Sequence, residues 1–201
     1  MKNLVILFLI FMVYMSVNMP SLAYEDSNVI AQTYNRQGAL ALSHAQNATG
    51  SEKKYFLKEA KWFYQKSVKA YSNNFEGYIG LAKTFMYLGR YDKAYNNLMI
   101  AYNFDNNNPM VNYYIAENSF LNEKYFNALS YYKEAIKYGY QNHYDTNYKT
   151  ALCYDKLGDV KQAMKYYNRC IEINPDASKP KEKLEEIENR NSKYKDYYQN
   201  Y

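Results

Sequence analysis

The side chains best suited to metal or redox chemistry in this sequence are His44, His143, Cys153 and Cys170. A metal site needs several His, Cys or carboxylate ligands at short, regular spacing. The two histidines are far apart in the chain, and neither has a cysteine or carboxylate at ligand spacing. We therefore predict no metal site and no cofactor.

The sequence also lacks the arrangements that support catalysis. It contains no nucleophile elbow, no phosphate-binding glycine loop and no pair of carboxylates that would define a hydrolytic cleft. We therefore predict that the protein is not an enzyme.

Residues 1–23 have the order of a secretory signal peptide. Lys2 precedes an uncharged, mostly apolar run over residues 4–17, and the small residues of 21–23 come before the acidic Glu25. This order predicts cleavage after Ala23 and export, to the periplasm or in association with the cell envelope. The alternative is an uncleaved inner-membrane anchor at residues 4–23, although the apolar run is shorter than the ~20 residues that span a bilayer.

Charge and composition limit the class of partner. The 201 residues carry a net charge of +5, with lysines and acids alternating, so we predict no nucleic-acid partner. Tyrosine is abundant, at 27 residues. The tyrosines stand at inward and outward positions alike, which favours compositional drift over a dedicated aromatic binding surface.

A period of about 34 residues runs through most of the chain. Four alanines are separated by 34, 34 and 35 residues, and each is followed four residues later by a large apolar residue and seven later by a small one. These sets are Ala60, Ala94, Ala128 and Ala163; Tyr64, Leu98, Tyr132 and Tyr167; and Ser67, Ala101, Ala135 and Cys170. Such a period indicates stacked helical hairpins.

A second set of small residues lies upstream of these alanines. Ala82, Ala116 and Ala151 are spaced to face the alanines of the following helix, which lets two antiparallel helices approach to ~8–10 Å. Gly89 and Gly158 stand where the first helix of a pair must turn, and Glu123 occupies the equivalent place between them.

These units resemble tetratricopeptide repeats, strongly over residues 75–177 and less well over 30–74. The sequence departs from the family pattern at Glu123 and Leu98, and the family's proline survives only as Pro175. The resemblance implies an all-α fold, a right-handed α-solenoid of about four antiparallel helix pairs with a C-terminal capping helix.

The period divides the chain into six segments. They are a signal peptide at 1–23, an irregular first repeat at 24–74, repeats at 75–108, 109–143 and 144–177, and a capping helix with a frayed tail at 178–201. In the first repeat, the stretch NATGSEKK predicts a lengthened turn, and either Gly38 or Ala39 takes the small position. Leu184 and Ile187 form the apolar stripe of the capping helix.

The two cysteines fall on opposite helices of the last hairpin. Their positions are offset by more than one turn, or roughly 9 Å along the axis. A disulfide needs Cα atoms within about 7 Å. We therefore predict no bridge within the monomer, with Cys170 as a small packing residue.

The resemblance also implies a concave groove lined by the first helix of each pair. The residues placed there are Ile79, Lys83, Met86, Tyr87, Tyr113, Glu117, Phe120, Tyr148, Leu152 and Asp155. Exposed methionine and aromatic side chains suit an extended peptide or a helix. For Tyr113 and Phe120, burial by the neighbouring repeat is an equally good interpretation.

The leading hypothesis is therefore a non-catalytic interaction scaffold or adaptor of the cell envelope that binds a protein or peptide in this groove. One alternative is a structural subunit that self-associates, and another is a glycan-binding accessory protein. Membrane contact is expected only through residues 4–23, if they remain uncleaved.

Overall fold

The computed structural model describes residues 27–199, and residues 1–23, which carry the signal-peptide prediction, lie outside them. The described chain is all-α, with no strand between residues 27 and 199. Its helices are α1 (27–47), α2 (Gly50–Ala70), α3 (Phe75–Tyr87), α4 (Tyr91–Phe104), α5 (Pro109–Leu121), α6 (Tyr125–Ala135), α7 (Tyr144–Lys156), α8 (Val160–Ile173) and α9 (Ser178–Gln199). They belong to two compact units, an N-terminal unit that ends at Leu88 and a C-terminal unit that begins at Gly89.

The turn between α1 and α2 in the N-terminal unit is short. Only Ala48 and Thr49 separate the two helices, because α2 begins at Gly50 with a positive φ of 57°. The predicted lengthened turn is therefore wrong. A glycine adopts the left-handed conformation without the steric cost of a Cβ, so the chain reverses within two residues.

Packing against Tyr64 settles which residue of α1 takes the small position. Gly38 is buried, and a Cβ added to it would lie 2.9 Å from the ring of Tyr64, whereas Ala39 is exposed. Gly38 is the small residue because the aromatic ring of α2 occupies the space of a side chain.

A polar network joins the three helices of this unit. The hydroxyl of Ser67 lies 2.8 Å from the carbonyl oxygen of Ala31 and 2.7 Å from Oδ1 of Asn35. Asn74 donates to Ser67 Oγ at 2.6 Å and accepts from the backbone N–H of Gly77, which caps α3. These buried groups satisfy one another, as buried polar atoms must.

The core of the C-terminal unit is built on the small residues that the period predicts. One cluster contains Ala116, Ala128, Tyr132 and Cys153, and the next contains Ala151, Ala163, Tyr167 and Ile187. Each alanine is fully buried, so α5 packs closely on α6 and α7 on α8. The predicted pairing of alanines across each hairpin is confirmed here.

The turns of this unit are set by local chemistry. Asn108 caps α5 by accepting from the N–H groups of Met110 and Val111. Gly158 has a φ of 82°, and Glu123 adopts a φ of 57° at the equivalent turn. A π-helical segment, Ile136–Tyr140, follows α6, and Gly139 within it has a φ of 138°.

Helix α9 packs on α8 and closes the C-terminal unit. Ile187 is buried, Leu184 is half-buried against the same cluster, and Arg190 donates to Asp155 of α7 at 2.7 Å. The helix continues through Gln199, which differs from the predicted frayed tail. The added segment contains no glycine or proline, so nothing in its sequence stops the helix.

Both cysteines are buried free thiols. Cys153 belongs to the cluster around Tyr132, and the Cys170 sulfur lies 3.9 Å from the carbonyl oxygen of Tyr144. Burial raises the pKa of each thiol to about 12, so both remain protonated at neutral pH.

Candidate functional site

Glu117 links three helices of the C-terminal unit. Its carboxylate accepts a short hydrogen bond from the hydroxyl of Tyr132 on α6. Lys149 of α7 places its Nζ 3.5 Å from Oε1 of the same carboxylate. The two charged side chains are 16% and 26% exposed, so the ion pair is partly shielded from water but remains accessible.

Lys149 also covers an aromatic ring. Its ammonium lies 4.5 Å from the ring centroid of Phe120 on α5, within the range of a cation–π contact. Phe120 in turn meets the edge of Tyr125 at a centroid distance of 5.5 Å. The side chains of α5 and α7 therefore meet at a cation that is shared between a carboxylate and an aromatic face.

Tyr113 lies beside this ion pair. Its ring centroid is 5.9 Å from that of Tyr132, 5.5 Å from that of His143 and 6.1 Å from that of Tyr140. Burial and the neighbouring charge of Glu117 raise the pKa of Tyr113, so its phenol is neutral. Tyr113 and Phe120 are both half-buried, so packing and partial exposure coexist at both positions.

The predicted groove residues of α7 contact the capping helix. Tyr148 and Leu152 are half-buried against the cluster that contains Ile187 of α9. Asp155 is bound by Arg190 of the same helix. These three residues therefore form the contact between α7 and α9, and their available surface is smaller than that of an unpaired helix face.

The remaining predicted residues lie on α3 in the N-terminal unit. Ile79 is 4% exposed and belongs to the core, so its side chain offers almost no surface to a ligand. Tyr87 is 42% exposed, and its hydroxyl accepts from Gln46 of α1 at 2.6 Å. Lys83 and Met86 are half-buried.

Two contributors to the α5–α7 surface were not among the predicted site residues. His143 caps α7 by accepting from the N–H of Thr146, and its ring packs on Tyr113. Lys149 pairs with Glu117 across neighbouring repeats. Neither partner stands at the i+3 or i+4 spacing that makes a helical pair visible in a sequence.

Two broader searches were negative within the described part of the chain. Among those residues, no group of three or more His, Cys, Asp or Glu side chains could hold a metal ion. No helix there is long and apolar enough to cross a membrane.

The family comparison supports the same reading of the helices. The tetratricopeptide repeat model matches residues 144–177, the span of α7, α8 and their turns. Together with the all-α fold of paired helices, this match identifies the chain as a tetratricopeptide-repeat protein. No curated protein matches the sequence.

Solved structures share the fold. The chain is 28% identical to MamA, covering 61% of this chain and 71% of MamA at a TM-score of 0.55. It is 15% identical to PilF of Pseudomonas aeruginosa, covering 84% and 72% at a TM-score of 0.71. It is 19% identical to YrrB, described as a tetratricopeptide-repeat protein with an unusual peptide-binding site, covering 77% and 74% at a TM-score of 0.61.

Proposed function

We propose that this protein is a non-catalytic interaction scaffold that binds a peptide or helix of a protein partner on the surface shared by α5 and α7. The single observation that carries the proposal is the Glu117–Lys149 ion pair, with Phe120 under its cation and Tyr113 beside it. We call these four residues the α5–α7 surface.

The chemistry of the α5–α7 surface suits a peptide. The partly exposed rings of Tyr113 and Phe120 offer apolar contact area, which aromatic residues supply efficiently at interfaces. Glu117 and Lys149 provide an acceptor and a donor that can pair with backbone or side-chain groups of a ligand. The description of YrrB as a peptide-binding protein of the same fold supports this class of ligand.

The proposal narrows the predicted groove. Tyr148, Leu152 and Asp155 contact α9, so we place them at the edge of the site rather than at its centre. Ile79 contributes to the core of its unit. Lys83, Met86 and Tyr87 remain candidates for an extension of the binding surface on α3.

We also propose that the scaffold works in the cell envelope. The support is the order of charge, apolar run and small residues in 1–23. N-terminal sequencing of the native protein tests this. A chain that begins at Tyr24 fits export with cleavage, whereas a chain that begins at Met1 would replace it with an anchored protein.

Photo-crosslinking in the native cells tests the binding site. A photoreactive phenylalanine analogue replaces Tyr113, and the same analogue replaces Lys133, which is exposed on α6, as the control. We expect a discrete crosslinked partner from Tyr113 that is absent from Lys133. Equal labelling from both positions, or crosslinks only between copies of this chain, would reject the α5–α7 surface in favour of a self-assembling structural subunit.

A further inference from the structure

A second concave site lies in the C-terminal unit, between α4, α5 and α6. It is a cavity of about 380 Å³ whose wall is formed largely by three tyrosines and three asparagines, Tyr91, Tyr95, Tyr131, Asn118, Asn122 and Asn127. This volume is within the range of small-molecule sites, about 300–1,000 Å³. We call it the polar cavity. It shares no residue with the α5–α7 surface.

Asn118 is the buried polar residue of this wall. It is 4% exposed, and its Oδ1 has no hydrogen-bond partner. Asn112, on the same helix, has a clear structural role, because its Nδ2 donates to the carbonyl oxygens of Asn106 and Asn108 at 2.8 and 3.0 Å. A buried amide acceptor without a donor calls for a different explanation, and a ligand that donates a hydrogen bond supplies one.

The tyrosine rings of the cavity are held in place. Tyr95 and Tyr131 are hydrogen-bonded to each other through their side chains, and burial raises the pKa of Tyr131. Tyr102 meets Tyr131 edge to face, with centroids 6.3 Å apart. Tyr95 is nevertheless 40% exposed, so an ordered aromatic face remains open to a ligand.

A second cavity of about 410 Å³ adjoins the first and shares Tyr91, Asp92 and Asn122 with it. It adds two cationic residues, Arg90 and Lys93. The two cavities thus form one continuous site, with an amide- and tyrosine-lined end and a basic end.

We propose that this continuous site binds a saccharide, with a sugar ring in the polar cavity and an acidic substituent at the basic end. A sugar ring has hydroxyls that both donate and accept hydrogen bonds, and asparagine amides do the same. It also has a face of C–H groups, which packs on an aromatic ring. The site therefore matches both halves of a sugar's surface.

Other ligand classes fit less well. An apolar ligand would leave the amides of Asn118, Asn122 and Asn127 without partners, which costs binding free energy. A polyanion such as a nucleotide would meet the carboxylate of Asp92, which lies in the wall common to both cavities. A ring with many hydroxyls and at most one negative charge avoids both penalties.

Isothermal titration of the full chain with two saccharides tests the proposal. The probes are a neutral tetrasaccharide of N-acetylglucosamine and a hyaluronan tetrasaccharide, which carries carboxylates. We expect binding of at least one probe, with the acidic probe favoured by Arg90 and Lys93. Failure of both to bind would overturn the proposal.

Variants locate the binding. Tyr95→Ala removes the open aromatic face, and Asn127→Ala removes an exposed amide, so each should weaken binding at least about fivefold. Phe126→Ala is the matched control, since Phe126 is 75% exposed on the same helix but does not line either cavity. Circular dichroism confirms that each variant is folded.

Three further results would overturn the assignment. One is binding that survives both Tyr95→Ala and Asn127→Ala, and another is equal loss in Phe126→Ala. The third is full displacement of the saccharide by inorganic phosphate at an equal concentration, which would assign the basic end to simple anions. Crosslinking at Tyr113 reports on a different surface, so this proposal and the proposed scaffold function can fail independently.

Discussion

The ring of Tyr64 occupies the space that a side chain at Gly80 would need. A Cβ added to Gly80 would lie 2.1 Å from Cε1 of Tyr64, and one added to Gly38 would lie 2.9 Å from the same ring. The tyrosine of α2 is thus held between glycines of α1 and α3. These contacts explain why small residues are required on both neighbouring helices.

We expect Gly80→Ala to destabilise the protein by about 1–3 kcal/mol or more, because overpacking forces the ring or a helix to move. Urea unfolding measures the change. The double variant Gly80→Ala with Tyr64→Leu should recover part of the loss, since the smaller side chain leaves room for the methyl group. Additive losses in this double-mutant cycle would show that the two positions do not compete for space.

Glu123 is a non-glycine residue in the left-handed conformation. Its φ is 57°, close to the 67° of Gly89, and it stands 34 residues after that glycine. We expect Glu123→Gly to stabilise the protein by about 1 kcal/mol, because glycine escapes the steric cost of this conformation. Thermal unfolding followed by circular dichroism provides the measurement.

The opposite substitution is the control for Glu123. Gly158 has a φ of 82° at the next turn and is exposed, with no atom within 4 Å of an added Cβ. Gly158→Ala should therefore destabilise the protein through the backbone alone, by about 1–2 kcal/mol. If Glu123→Gly lowers the melting temperature, side-chain contacts of Glu123 outweigh its backbone strain.

The elements that the sequence predicted well are those set by repeated local rules. The fully buried Ala116, Ala128, Ala151 and Ala163 follow from a period that places small residues where helices approach. The turn at Gly158 follows from the conformational freedom of glycine. These features depend on residue size and backbone geometry, which repeat every 34 or 35 residues.

The elements that the sequence did not predict depend on contacts between repeats. Lys149 pairs with Glu117, and Arg190 with Asp155, across 32 and 35 residues, and no local pattern announces either pair. The short α1–α2 turn was missed because Asn, Gly and Ser favour loops locally, whereas packing of α2 extends that helix to Gly50. Burial of Ile79 likewise depends on its neighbours rather than on its own helix.

The buried thiols should report on unfolding. At pH 8, Ellman's reagent should react with neither Cys153 nor Cys170 in the native protein, because both are buried and have pKa values raised to about 12. In urea, both thiols should react. Rapid reaction of the native protein would show that one cysteine is accessible, and failure of either to react after unfolding would reveal a disulfide.

The same thiols should make the protein sensitive to alkali. An unfolded cysteine titrates at about pH 8.5. Because the pKa of Cys153 is higher in the folded state, at about 12, its contribution to stability is complete below about pH 8.5 and is lost as the pH rises towards 12. Urea unfolding between pH 8 and 9.5 should show a smaller decline in Cys153→Ala than in the parent protein. An equal decline would assign the alkaline sensitivity to other groups.

Helix α9 should contribute directly to the stability of the C-terminal unit. Ile187 is 1% exposed and packs in one cluster with Ala151, Ala163 and Tyr167. We expect Ile187→Ala to lower the free energy of unfolding by about 2–5 kcal/mol, because it removes buried apolar surface and leaves a cavity. Glu188→Ala, one residue further along, is the control, and since Glu188 is exposed its effect should stay within about 0.5 kcal/mol. Equal unfolding midpoints in urea for the Ile187 variant and the parent would mean that the unit does not depend on its capping helix.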